Sequence, residues 1–212
     1  MLNNYKQSGI YVIGTRPLNG KMEYMSSLIC KFLKRNKRIS LFGLGANTNY
    51  YLEYILAEIT KIERKLISKY LNPCLKLDNK SINIDEKKYM NGIKYLMKQN
   101  LQIKDYNLID ETILYNFYSY IDKIIYMIVE SNSNVVVIDN LEYIKEDSEY
   151  VIKKLKQIAE EKNILIIIFS TLKSSYEETH YDNITSFNSG IVLYNYTDKI
   201  SILNGNKMYC IK

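Results

Sequence analysis

The chain has 212 residues, 47% of them hydrophobic and 25% charged, with a net charge of +6. That length gives one large domain or two small ones, and it buries a core without a disulfide or metal staple. No apolar run approaches the roughly 18 residues of a membrane span, and residues 1–9 lack a signal-peptide core, so a cytoplasmic protein without membrane contact is expected.

In chain order, residues 9–14 form an apolar run read as a first strand. A helix pattern follows, with Met25, Leu28, Ile29, Phe32 and Leu33 on one face. Residues 38–42 read as a second strand. Asn47 or Thr48 then caps a helix expected to bury Leu52, Ile55, Leu56 and Ile59. Residues 65–84 contain Pro73 and little periodicity, and read as loop or short helices. Asp85 caps a helix burying Tyr89, Ile93, Leu96 and Met97, and residues 101–105 alternate like a short strand. A long helix is expected from about Glu111 to Glu130, carrying Ile113, Phe117, Ile121, Ile124 and Ile128 inward.

Residues 135–138 and 164–169 are continuous β-branched runs, the pattern of strands covered on both faces of a parallel sheet. Between them Asp147 or Ser148 opens a helix with Val151, Ile152, Leu155 and Ile158 inside. Residues 191–196, 200–203 and 208–211 read as further strands, the last pair an antiparallel hairpin around Asn204 and Gly205. Strands alternating with helices define an α/β fold with a mostly parallel sheet. No linker or low-complexity stretch divides residues 1–212, so one domain is expected.

The first chemical candidate is the segment 15–22, between the first strand and the first helix. A phosphate-binding loop belongs at that place, because the free amides of a helix N-terminus face the anion and a lysine reaches the outer phosphates. Gly20 and Lys21 fit G-x-x-x-x-G-K-[ST]. Thr15 stands at the opening glycine and Met22 at the hydroxyl residue that would hold Mg²⁺, and a thioether is a poor ligand for a hard cation. A plain strand–turn–helix with a chance Gly-Lys pair is the alternative. The second candidate is Asp139, at the tip of the strand 135–138, where an acid orients Mg²⁺ in nucleotide-hydrolysing folds. Strand ends also carry Asp merely as a turn signal.

Taken together, Arg16-Pro17-x-x-Gly20-Lys21, Leu41-Phe42-Gly43-Leu44, Val137-Ile138-Asp139-Asn140-Leu141-Glu142-Tyr143-Ile144 and Ile167-Ile168-Phe169-Ser170-Thr171-Leu172 resemble, in that order, the C-terminal RecA-like motor of DnaB-type replicative helicases. The resemblance runs from about Lys6 to the end of the chain. It implies a P-loop NTPase fold, ATP and Mg²⁺ as cofactors, single-stranded DNA or a replication protein as partner, and homo-oligomers through RecA-type faces. It implies nucleotide binding by Arg16, Pro17, Asn19, Gly20, Lys21, Met22 and Asp139, with Asp139 on Mg²⁺. The family's water-activating glutamate falls on Gly45 and its sensor glutamine on Thr171. No arginine follows Arg64, so the family's arginine finger from the C-terminal strands has no counterpart. The family's N-terminal domain and linker helix are also expected to be missing.

The family's DNA-facing loops fall on residues 173–190, which carry Glu177, Glu178 and Asp182 against Lys173. That balance does not suit a phosphate backbone. Tyr176, Tyr181 and Phe187 there could stack bases or simply pack, and His180 reads as a loop residue. The densest basic cluster is Lys31, Lys34, Arg35, Lys37 and Arg38, read either as a nucleic-acid contact or as the solvated end of the first helix. The charge of +6 admits the same two readings, since the basic residues are nearly all lysine in a chain rich in Asn, Ile and Tyr. Cys30, Cys74 and Cys210 form no CxxC pair, which supports neither a disulfide framework nor a zinc site.

Three functions are consistent with these residues. One is a degenerate DnaB-like domain that binds nucleotide, DNA or a replication partner without turnover. Another is an active motor in which Glu142 or Glu23 replaces the missing base. The third is a protein-interaction module that has lost both ligands.

Overall fold

The computed structural model describes residues 5–71, 84–105, 119–172, 187, 190–205 and 207–212. The strands are β1 (Gly9–Thr15), β2 (Ile39–Gly43), β3 (Leu101–Asp105), β4 (Val135–Asp139), β5 (Leu165–Thr171), β6 (Lys199–Asn204) and β7 (Lys207–Cys210). They form one sheet in the order β3-β2-β4-β5-β1-β6-β7, parallel throughout except for the β6–β7 hairpin. The register puts Gly43 beside Asp139, and Thr15 beside Thr171. The tips of β1, β2, β4 and β5 therefore share one edge, where ligands bind in open parallel α/β sheets.

Seven helices among the described residues flank this sheet: α1 (Lys21–Leu33), α2 (Thr48–Thr60), α3 (Arg64–Leu71), α4 (Glu86–Met97), α5 (Tyr120–Ser131), α6 (Ser148–Glu161) and α7 (Gly190–Tyr196). On one face, Met25, Leu28, Ile29 and Leu33 of α1 and Ile55 of α2 cover Ile13, Leu41, Val137 and Ile167. On the other, Ile124 and Ile128 of α5, Ile152 and Leu155 of α6, and Leu193 of α7 cover Val12, Val136, Ile138 and Ile166. Burial on both faces is why β4 and β5 are apolar without alternation. A smaller cluster of Leu56, Ile67 and Tyr89 joins α2, α3 and α4. No helix among the described residues is long and apolar enough to cross a membrane.

Local chemistry sets the helix starts. The side chains of Asn47, Asp85, Ser119 and Asp147 each accept a hydrogen bond from a first-turn amide of α2, α4, α5 and α6. The expected caps at residues 47, 85 and 147 are thus in place.

Three expectations need correction. Residues 191–196, read as a strand, belong to α7. Its buried positions Gly190, Leu193 and Thr197 recur at helical spacing, and the Thr197 hydroxyl donates to the Leu193 carbonyl at 2.6 Å. A short apolar run cannot separate helix from strand by composition, and here packing against α6 decides. Second, of the helix expected from about Glu111 to Glu130, the described part begins only at Tyr120. Ser119 is extended (φ −150, ψ 161) and caps the start of α5, while Ile113 and Phe117 lie outside the described residues. Third, Met97 is 81% exposed, and Leu52, Ile59, Ile93 and Leu96 are only half-buried. Leu52, Ile93, Leu96 and Met97 line a groove with Leu101 and Ile103 at the β3 edge, where the sheet ends.

Burial pushes the Cys30 thiol up to about 12, whereas Cys210 is exposed. Brief alkylation of the native protein with iodoacetamide, followed by peptide mass spectrometry, is expected to modify Cys210 and spare Cys30. Equal labelling would mean that the α1 layer opens readily, since only the thiolate reacts.

Candidate functional site

The edge formed by the strand tips holds a cleft of about 400 Å³ lined by Thr15, Arg16, Pro17, Leu18, Gly20, Lys21, Met22, Glu23, Tyr50, Tyr54, Asn140, Tyr143 and Thr171. Segment 16–20 links β1 to α1. Gly20 takes a left-handed conformation (φ 75), which a side chain would strain, and so turns the chain directly into the helix. Asn19 Nδ2 donates to Asn204 Oδ1 at 3.1 Å, tying this loop to the β6–β7 turn. Leu18, at φ 63, is fully exposed. No side chain caps the start of α1, whose first residues line the cleft, but Glu23 puts an acid in the same first turn.

Lys21 reaches across to β4. Its Nζ donates to Asp139 Oδ1 at 2.6 Å and approaches Asn140 Oδ1 at 3.5 Å. Asp139 is 3% exposed, and its other oxygen, Oδ2, accepts from the Tyr51 hydroxyl at 3.0 Å. Tyr51 is positioned by the start of α2. Asn47 caps that helix, and Asp105 at the tip of β3 accepts from both the amide and the hydroxyl of Thr48 at 2.9 Å. One turn on, the Tyr51 ring lies against Gly43, where a Cβ would meet it at 2.1 Å. Burial, then the neighbouring Asp139 charge, pushes the Tyr51 phenol far above its ordinary range, so it remains a donor.

The remaining positions are also engaged. Asn140 Nδ2 donates to the Thr171 hydroxyl at 3.0 Å, so the tip of β5 is linked to the residue after β4. Glu142 Oε1 accepts from the Thr171 amide at 2.9 Å and from the Ser170 hydroxyl. Glu142, considered as a replacement base, thus spends that oxygen on the tip of β5. Gly45 is covered by Tyr143, whose ring a Cβ at position 45 would meet at 2.6 Å. Met22 is 6% exposed and belongs to the core beneath α1.

The structure therefore brings Arg16, Pro17, Gly20, Lys21, Met22 and Thr171 to one cleft, with Asn19 in the same loop and Asp139 buried behind Lys21. It does not bring the basic cluster there. Lys34, Arg35, Lys37 and Arg38 lie past the far end of α1, roughly 20 Å of helix from Lys21, with Lys31 half-buried on the last turn. The Arg38 guanidinium donates to the Asn132 carbonyl at 2.6 Å and to Asn132 Oδ1, joining β2 to the end of α5. Arg35 and Lys37 share with Lys6 a separate groove of about 290 Å³. Of the loop 173–190, Phe187 is buried against Gly14 and bridges Leu172, which supports packing for that residue over base stacking. Tyr176, His180 and Tyr181 lie outside the described residues.

Tyr51 and Tyr143 were not legible as site residues. Each is one tyrosine among 21; Tyr51 has no motif around it, and Tyr143, though it follows Asp139 in a recognisable stretch, carried no role there.

A parallel sheet with a glycine-lysine loop before its first helix and an acid at the tip of a strand on the same edge has the architecture of a RecA-like domain. The chain belongs to the DnaB-like helicase C terminal domain family, whose profile matches residues 1–184. Two solved structures are similar. One, described as an ATPase domain, superposes with a TM-score of 0.73 at 15% identity, over 93% of this chain and 70% of that one. The other, "The Structure Of A DnaB-Like Replicative Helicase And Its Interactions With Primase", gives a TM-score of 0.72 at 15% identity, over 95% of this chain and 48% of that one. The chain thus spans about half the length of the second. No curated protein matches.

The fold implies ATP and Mg²⁺, and the residues fit them unequally. Gly20, Lys21 and the start of α1 have the layout of a phosphate cradle. The metal half does not fit. Asp139 has both oxygens engaged, and Met22 offers no oxygen.

Proposed function

We propose that this DnaB-family domain works by binding and does not turn over ATP. The observation that carries this is at the tip of β2. The position of the family's water-activating glutamate is Gly45, and the space above it is filled by the Tyr143 ring. Without a base to orient water, and without an arginine beyond Arg64 to offset charge on a transferring phosphoryl group, the main terms of phosphoryl-transfer catalysis are missing.

In this reading the Gly20–Lys21 loop holds nucleotide weakly, with Arg16, Pro17 and Asn19 shaping it. The domain acts on single-stranded DNA or a replication protein in the cytoplasm, alone or as a homo-oligomer through RecA-type faces. Lys34, Arg35 and Lys37 are the candidate nucleic-acid contacts, on the side of the sheet remote from the loop.

Phosphate release from ATP, measured with and without single-stranded DNA, tests the proposal. The expected result is no turnover above the buffer blank, and no change in Lys21→Ala. Robust turnover abolished by Lys21→Ala would instead favour an active motor, with Glu23 the acid that lines the cleft.

A further inference from the structure

Mg²⁺ in a nucleotide fold needs near-octahedral oxygen ligands at roughly 2.0–2.1 Å and tolerates little distortion. Asp139 is the carboxylate that this sheet would offer it. Its Oδ1 lies 2.6 Å from the Lys21 ammonium, so a cation approaching there meets a positive charge. Its Oδ2 lies 3.0 Å from the Tyr51 hydroxyl. Tyr51 cannot swing aside cheaply. It is 1% exposed, and its ring is wedged against the bare backbone of Gly43. The residue after Lys21, which would supply a hydroxyl, is instead the buried Met22.

We infer that the Tyr51 hydroxyl closes Asp139 to divalent cations, so that this cleft binds no Mg²⁺ either by itself or together with nucleotide. The inference rests on the non-hydrolytic reading above and sharpens it. Lys21, Asp139 and Tyr51 form an internally satisfied set in which an ammonium and a phenol take the place of a metal ion. Any phosphate that the loop accepts is then bound through Lys21 and backbone amides as a metal-free anion.

Mn²⁺ is a paramagnetic stand-in for Mg²⁺ with the same preference for oxygen ligands, and loss of its free-ion signal in electron paramagnetic resonance reports binding. The wild-type chain is expected to remove no Mn²⁺ beyond that chelated by ADP in a protein-free control. Tyr51→Phe keeps the ring over Gly43 and frees Oδ2. It is expected to tighten Mn²⁺ binding about tenfold or more, the scale of one hydrogen bond to a charged group, and Tyr51→Phe with Met22→Ser further. Wild-type protein that binds one Mn²⁺ per chain, with the site lost in Asp139→Asn, overturns the inference. So does failure of both variants to bind Mn²⁺ while their circular dichroism is native. The wild-type arm decides even if a variant does not fold. Wild-type Mn²⁺ binding without ATP turnover would overturn this inference and leave the non-hydrolytic reading intact. Turnover that depends on Lys21 would overturn that reading itself.

Discussion

Lys21→Ala is expected to destabilise the ligand-free protein by about 2–3 kcal/mol. In an open phosphate-binding loop the lysine points at solvent or ligand, and its removal costs affinity more than stability. Here its Nζ is 2.6 Å from a carboxylate that is 3% exposed. Removing one partner of a fully buried pair costs roughly 3–5 kcal/mol, because the other charge is left uncompensated. The Lys21 side chain is 23% exposed, so water partly replaces it and the expected loss lies below that range. Asp139 would keep the Tyr51 hydroxyl alone. For a chain of this size the midpoint of thermal unfolding should fall by roughly 4–12 °C. Urea unfolding followed by circular dichroism measures the change directly, and an unaltered midpoint would show that the pair does not contribute in solution. Asp139→Asn should cost less, because the amide still bonds to Tyr51 and the partly exposed lysine can hydrate.

This expectation depends on residues that the sequence displayed unequally. Lys21 and Asp139 stand in recognisable contexts, a Gly-Lys pair before a helix and an acid after Val-Val-Val-Ile, so their meeting across the sheet edge was foreseeable. Tyr51 and Tyr143 were not, because their roles come from tertiary placement. Tyr51 reaches Asp139 only because Asn47 and Asp105 fix where α2 begins, and Gly43 leaves room for a ring. Tyr143 lies over Gly45 only because a 3₁₀ turn at Leu141–Tyr143 follows β4. The resemblance set a glycine, Gly45, where the family's glutamate was expected. It could not announce what fills the space.

The same contrast holds for the fold. β1, β4 and β5 were readable because strands buried on both faces must be apolar at every position. The segment 191–196 opens on a short apolar run yet is helical, because the buried positions 190, 193 and 197 follow a spacing that a run of three apolar residues does not reveal. Glu142 shows the limit for charged residues. Proximity in sequence to Asp139 made it a plausible base, yet its Oε1 is held by the backbone amide of Thr171, a partner that no local pattern specifies.

Phe187→Ala is expected to be the most damaging of the substitutions considered, at about 3–5 kcal/mol, the usual cost of emptying a buried phenylalanine site. Phe187 is 1% exposed and belongs to the core cluster shared by α5, α6 and α7. Its ring occupies the space that a side chain at Gly14 would need, with a Cβ there meeting it at 2.4 Å. Gly14 is on the interior strand β1, paired with Ser170 of β5, so the ring packs where these two strands run side by side just before segment 16–20. Strand β1 leads directly into that loop, and a cavity beneath it should loosen Gly20 and Lys21 as well as lower the melting temperature. The rival role, a base-stacking aromatic on a DNA-facing loop, makes the opposite prediction. It would leave thermal stability nearly unchanged and weaken binding of single-stranded DNA, since each stacked base contributes roughly 1–3 kcal/mol. Thermal unfolding and oligonucleotide anisotropy on the same variant separate the two. A Phe187→Leu variant, which refills most of the volume, should recover much of the lost stability if packing is the role.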